Sequence, residues 1–343
     1  MKVGIVGAGM IVHDFLTFAH EVTGMELVAL CATPAEKEKI VEMCQANNIK
    51  AHYTNIDVML EDSEVEVVYV AVPNHLHYEM CKKAILAGKH VICEKPFTSN
   101  LKELEELVAL ADTNKVIMVE AVSTQYLPNT LKIKELLPTL GQIKIVSANY
   151  SQYSSRYDAF KAGEVLPAFN PAMSGGALMD LNIYNINLVV ALFGKPLNVN
   201  YEANIQRGID TSGILTLDYD SFKCVCIGAK DCKAPVATNI QGDAGCITIS
   251  TPANSLNGFK VLMNKGSAKQ MNNEGDEVSY NNDKHRMYHE FVEFVKIIEQ
   301  KDYQRAEEMM EKSLIAMEIA TKARQSAGVV FAADKNIKEG EEE

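Results

Sequence analysis

The chain has 343 residues, 47% of them apolar, and a formal charge of −12 at pH 7. That length exceeds what one hydrophobic core ordinarily serves, so two globular domains are expected. The acidic balance argues against nucleic acid or an anionic membrane surface as the main partner.

At the N-terminus, Val3 to Val12 resembles the apolar core of a secretory leader, but Gly4, Gly7 and Gly9 punctuate it and His13-Asp14 end it. No run elsewhere is expected to reach the roughly 18 apolar residues of a membrane helix. The first 120 residues alternate apolar strands (Val3 to Val6, Leu27 to Cys31, Val65 to Val72, His90 to Cys93, Val116 to Val119) with amphipathic helices. That rhythm predicts a doubly wound parallel sheet, a Rossmann-type α/β domain over residues 1–122. Helix starts are read at Thr33-Pro34-Ala35-Glu36 and at Asn100-x-x-Glu103, both as capping boxes, and Gly88 reads as a helix stop.

Beyond Ser123 the rhythm changes. One helix from Ala177 to Phe193 is stopped by Gly194, and strands follow near Val199 to Ala203, Gly213 to Tyr219, Lys223 to Ile227, Cys246 to Ser250 and Lys260 to Met263. Consecutive strands predict a largely antiparallel sheet, and two helices (His285 to Gln300, Gln304 to Gln325) close an α+β domain over residues 123–335. Residues 336–343 read as a frayed acidic tail. Of eight cysteines, Cys31, Cys44, Cys81, Cys93, Cys224 and Cys226 sit in apolar or strand-like surroundings, which fits reduced thiols in the cytoplasm. No metal site is expected: Cys224-x-Cys226 lies on one strand face, and the pairs His75-x-His77 and His285-x-x-x-His289 lack a third ligand of suitable spacing.

Two positions carry chemistry. Gly7-Ala8-Gly9 follows the first strand and opens a helix, with Met10 and Ile11 in its first turn. The first glycine permits the turn, and the second lets a pyrophosphate approach the helix N-terminus. Lys95, in Glu94-Lys95-Pro96, stands at the carboxyl end of a buried strand that Pro96 prevents from continuing, where open α/β sheets hold their ligands. The second strand ends Cys31-Ala32-Thr33 with neither an acid for a ribose 2′-hydroxyl nor an arginine for a 2′-phosphate. NADP and NAD therefore both stay open, with a lean to NADP, and Lys37 is the nearest cation. Thr33 is read as a helix cap that could also bond the cofactor.

Taken together, Gly7-x-Gly9, Pro73-Asn74-x-x-His77, Glu94-Lys95-Pro96 and Gly175-Gly176-x-x-x-Asp180-x-x-x-Tyr184 resemble, in order, the motifs of the Gfo/Idh/MocA oxidoreductases. Tyr184 and Glu120-Ala121 are similar to the branch containing glucose–fructose oxidoreductase, dimeric dihydrodiol dehydrogenase and NADP-using sugar dehydrogenases. Asn182 stands where that pattern usually has glycine. The resemblance implies Asn74 on the nicotinamide side of the cofactor with His77 among the cofactor-binding residues at the start of the next helix, a sugar-like or polyhydroxyl substrate, and a homodimer or homotetramer.

Asp180 and Tyr184, four apart on one helix, are expected to share a face and meet the same small molecule. A phenol with an ordinary pKa of about 10 needs help to take a hydroxyl proton at neutral pH, and the Lys95 ammonium supplies it by favouring phenolate. The expectation is that Lys95 and Tyr184 share the acid/base work while Asp180 orients substrate or lysine. A regulator that binds dinucleotide without turning anything over is the competing class.

Overall fold

In the computed structural model, residues 1–264 and 275–335 are described; the acidic end at 336–343 lies outside them. Along the chain run β1 (Lys2–Val6), α1 (Met10–Phe18), β2 (Glu26–Cys31), α2 (Lys37–Ala46), β3 (Ala51–Tyr53), α3 (Ile56–Leu60), β4 (Val67–Val70), α4 (His77–Leu86), β5 (His90–Glu94), α5 (Leu101–Asn114) and β6 (Met118–Ala121). There follow α6 (Pro128–Leu136), β7 (Ile143–Ser151), α7 (Tyr157–Ala162), α8 (Ile183–Phe193), β8 (Asn198–Gln206), β9 (Ile209–Asp218), β10 (Lys223–Ala229), β11 (Ala237–Gly242), β12 (Gly245–Ile249), β13 (Lys260–Met263), α9 (Tyr288–Glu299) and α10 (Tyr303–Ser326).

The chain divides into two compact units. The first holds Met1–Val122 and Met287–Met317, and the second holds Ser123–Arg286 with the described residues from Glu318 onward. The assignment of residues 123–335 to one domain is corrected, because α9 and most of α10 belong with the first unit. The reason is aromatic packing: the Phe291 ring lies 4.5 Å from Phe15 and 5.3 Å from Tyr69, centroid to centroid, so α9 covers a sheet face that would otherwise lie bare.

In the first unit six parallel strands run in the order β3-β2-β1-β4-β5-β6. The order reverses between β1 and β4, and that is where an open sheet leaves a crevice beyond its carboxyl ends. β4 is buried throughout, and β5 from Val91 onward, which explains the near-continuous apolar runs. Asn100 caps α5 as expected, its Oδ1 accepting from Glu103 N at 2.9 Å, while the Glu103 carboxylate takes the N–H of Ser99. The box at Thr33 is corrected. Pro34–Glu36 is a single 3₁₀ turn ahead of α2, and the Thr33 hydroxyl donates to Glu36 Oε2 at 2.8 Å instead of capping an N–H.

The second unit is built on seven strands ordered β13-β12-β11-β7-β10-β9-β8. Every neighbouring pair is antiparallel except β7 with β10, which are parallel. Neither β7, near the middle of the sheet, nor β11 was legible as a strand. Their buried positions (Val146, Ala148, Tyr150; Thr238, Ile240) alternate with Ser, Asn and Gln, which give little strand signal. The stretch Pro171–Phe193 is long and apolar enough to cross a membrane by length and composition, against expectation, but 89% of that window is buried inside the protein. Asn182, Asn185 and Asn187 within it are buried and bonded to protein: Asn182 to Cys226 O, Asn185 to Ile227 O and Asn187 to Ile183 O. All eight cysteines are free thiols, and the six expected in apolar surroundings are buried.

Candidate active site

The glycine loop is shaped by two different demands. Gly7 has φ +120°, and a Cβ there would fall 2.2 Å from the Ala71 carbonyl oxygen at the end of β4. The residue is therefore glycine for fold as much as for ligand. Gly9, the N-cap of α1, is the opposite case, since a Cβ would meet nothing within 4 Å. Open space in front of the first N–H groups of a helix is what a dinucleotide pyrophosphate requires, so this loop fits the cofactor. Met10 next to it is 72% exposed and Ile11 half-buried. The Val12 side chain is buried against the core. Lys39, in the first turn of α2, donates to Ala8 O of this loop.

Lys95 follows β5 as expected, half-buried, with a cis peptide to Pro96. Three side chains clamp the loop on either side of it. Tyr69 donates its hydroxyl to Glu94 Oε1 at 2.6 Å. His77 is buried, with Nδ1 2.9 Å from Pro96 O and Nε2 2.9 Å from Val72 O. Burial pulls its pKa down from the ordinary value, against the opposing effect of those carbonyls. Both ring nitrogens are thus engaged by backbone, and His77 joins the chain after β4, where Pro73 and Asn74 lie, to the chain after β5. The third clamp is Glu120 on β6, whose Oε1 accepts the N–H of Phe97 at 3.1 Å. Its carboxyl is fully buried and pushed up to about 7, chiefly by desolvation and further by the Glu94 charge, with Ser313, Phe97 and Lys95 acting in the opposite sense. Its Oε2 has no hydrogen-bond partner among the described residues.

In the second unit, the helix expected from Ala177 begins as a π turn over Leu178–Asn182 and becomes α-helical only at Ile183. Such wide turns recur at functional sites, and this one carries Asp180. Its start is fixed by Asp210, a buried residue on β9 that accepts Leu178 N at 2.7 Å and Tyr201 Oη at 2.9 Å. Desolvation pushes the Asp210 carboxyl up to about 6. Gly176 explains itself here: φ is +104°, and a Cβ would fall 2.1 Å from Asp210 Oδ1. Asn182 fits because its partner across the packing is Gly228, where a Cβ would meet Asn182 Cβ at 2.7 Å. Tyr184 is 8% exposed, its ring 6.3 Å from that of Tyr150 on β7.

Asp180 has a neighbour that sequence reading missed. Lys230 Nζ lies 2.5 Å from Asp180 Oδ2, and the lysine side chain is 2% exposed against 39% for the aspartate. The signal was present, since Lys230 directly follows β10 just as Lys95 follows β5. Asp210 gave none, being one acid among forty-five acidic residues.

A parallel 3-2-1-4-5-6 sheet with an open glycine loop defines a dinucleotide-binding domain of the Rossmann class. Residues 1–121 match the family model of the Gfo/Idh/MocA oxidoreductases, NAD-binding Rossmann fold, and residues 130–248 match the C-terminal domain model of the same family. The chain belongs to the Gfo/Idh/MocA family. It is 34% identical over 336 residues, 98% of its length and 99% of the relative's, to scyllo-inositol 2-dehydrogenase (NADP(+)) IolU of Bacillus subtilis. It is 30% identical to trans-1,2-dihydrobenzene-1,2-diol dehydrogenase of Danio rerio, over 77% of this chain and 78% of that one. In fold it is similar to KijD10, a 3-ketoreductase from Actinomadura kijaniata solved with NADP and TDP-benzene, with a TM-score of 0.80 and 19% identity across 96% and 98% of the two chains. The protein is an NAD(P)-dependent oxidoreductase of that family.

Proposed function

We propose that the protein oxidises a secondary alcohol of a neutral polyol, cyclic inositols first among candidates, with NADP in preference to NAD. The observation that carries this reading is the end-to-end likeness to a scyllo-inositol dehydrogenase that uses NADP(+). The missing acid after β2 agrees with it. Gly7, Gly9, Met10 and Ile11 would hold the pyrophosphate, Thr33 the adenosine ribose, and Pro73, Asn74, His77, Glu94, Lys95 and Pro96 the nicotinamide end, His77 and Glu94 through the loop they brace. A bound nicotinamide supplies hydride exchange; the chain's own residues manage the proton. Tyr184 and Lys95 share the acid/base work on the hydroxyl proton, and Asp180 orients the substrate hydroxyl. Eight free thiols favour a cytoplasmic setting, and a homodimer or homotetramer is the assembly we expect.

The test is nicotinamide absorbance with scyllo-inositol, myo-inositol, aldoses and a dihydrodiol, each with NADP and NAD. We expect turnover with a cyclic polyol and NADP, and a loss of about a hundredfold or more in kcat for Lys95→Ala and Tyr184→Phe. Tight dinucleotide binding without turnover on any of these would replace this reading with that of a dinucleotide-responsive regulator. Full turnover by Lys95→Ala would overturn the assigned proton path.

A further inference from the structure

Lys230 is a charged group with almost no access to water, and burying an ammonium costs several kcal/mol unless it is paired and hydrogen-bonded. It is held from several directions within the second unit. Its backbone N–H extends the β10 ladder to Thr211 O at 2.8 Å. Its Nζ donates to Ala168 O at 2.9 Å and to Asp180 Oδ2 at 2.5 Å, and it lies 4.8 Å from the centre of the Phe169 ring. Gly175 makes part of this possible, since a Cβ there would strike the Pro167 and Ala168 carbonyl oxygens at 2.7 and 3.0 Å. The neighbouring acids have hydrogen-bond partners of their own: Asp210, which also feels the Lys230 charge, caps the π turn, and Asp231 accepts the hydroxyls of Thr211 and Ser212. A buried cation thus backs a carboxylate whose side chain remains 39% exposed.

We propose that Lys230 is a positioning residue that fixes the Asp180 carboxylate, in charge and in rotamer, as an acceptor for a substrate hydroxyl. The assignment rests on the polyol reading above and deepens it. It separates two roles that one motif brings together: Tyr184 moves a proton, whereas Asp180 stays an anion and only binds. Lys230 itself touches no substrate, since its side chain is only 2% exposed.

The test compares Lys230→Met, Lys230→Arg, Asp180→Asn and the double variant Lys230→Met/Asp180→Asn, using the polyol on which the parent turns over. Lys230→Met is expected to raise KM about tenfold or more with a smaller change in kcat, the size expected for a disturbed hydrogen bond to a charged group. NADPH affinity, read from nicotinamide fluorescence, is expected to stay within about twofold, since the glycine loop lies in the other unit. The double variant is expected to be no worse than Asp180→Asn alone, because the lysine acts through the aspartate. Lys230→Arg is expected to recover part of the lost affinity. If Lys230→Met proves insoluble, the double variant, which removes both charges, carries the comparison with Asp180→Asn. Crystal structures of the parent and a Lys230 variant give a readout independent of turnover, with a displaced Asp180 side chain expected. An unmoved carboxylate, an unchanged KM, or effects that simply add in the double variant would overturn the proposal. A fall in melting temperature and kcat with KM intact would reduce Lys230 to scaffolding. Absence of turnover in the parent overturns the polyol reading and this one with it, whereas parent turnover with an indifferent Lys230→Met overturns this one alone.

Discussion

Replacing Glu120 by glutamine removes a titration buried inside the first unit, and the consequence for stability has a definite sign. The ordinary carboxyl value is 4.5, and burial pushes this one up to about 7. Between those values the folded protein holds a proton that the unfolded chain releases. The stabilising contribution of the group is therefore complete below about pH 4.5 and lost as pH rises through about 7. At about 1.4 kcal/mol for each pH unit between the two values, the parent forfeits about 3 kcal/mol by pH 8 that the variant keeps. The introduced amide is neutral throughout, and its oxygen can still accept from Phe97 N. Urea unfolding of parent and variant at intervals from pH 5 to pH 9 measures the difference, with dinucleotide absent so that ligand binding adds nothing. The variant is expected to gain on the parent steadily as pH rises and to level off above about pH 8. A difference that stays flat across this range would refute the reasoning, and so would one that grows towards acid.

Two further outcomes follow from the geometry. Gly9→Val is expected to weaken dinucleotide binding at least tenfold while leaving the unfolding midpoint nearly unchanged, since the space there is empty; Gly7→Ala is expected to cost about 2 kcal/mol or more of stability, because φ +120° and the Ala71 carbonyl both oppose a Cβ. Fluorescence titration and urea unfolding together check the pair, and equal effects on both properties would contradict it. Arg324→Met is expected to destabilise by about 3 kcal/mol or more, since it breaks the ion pair with Asp334, whose two oxygens lie 2.5 and 2.7 Å from a guanidinium that is fully buried; an unchanged unfolding curve would contradict this.

How much of the fold could be read depended on whether a residue's neighbours in sequence were also its neighbours in space. β1, β2, β4, β5 and β6 announce themselves because strands covered on both faces are apolar throughout. β7 does not, because its buried Val146, Ala148 and Tyr150 alternate with Ser147 and Asn149. Lys95 was legible because a proline marked the end of its strand. Lys230 has no such marker, and the partner that gives it meaning lies fifty residues earlier. Asp210 is the extreme case, since nothing near it in the chain distinguishes it from a surface acid, and its purpose emerges from Gly176, Leu178 and Tyr201. The expected common face of Asp180 and Tyr184 assumed a regular α-helix, and the π turn lies between their local environments. Its cause is tertiary, in the pull of Asp210 on Leu178 and of Cys226 O on Asn182.

The pairing of Asn182 with Gly228 means that these two sites share a single allotment of volume. A homologue with glycine at the first is free to carry alanine or serine at the second, whereas one with asparagine at the first is not. The two positions should drift together over evolutionary time although forty-six residues separate them. A chimera that joined an asparagine-bearing helix from one lineage to a sheet with alanine or serine at the second site from another would then fail at this crossing, with every residue of its reaction chemistry intact.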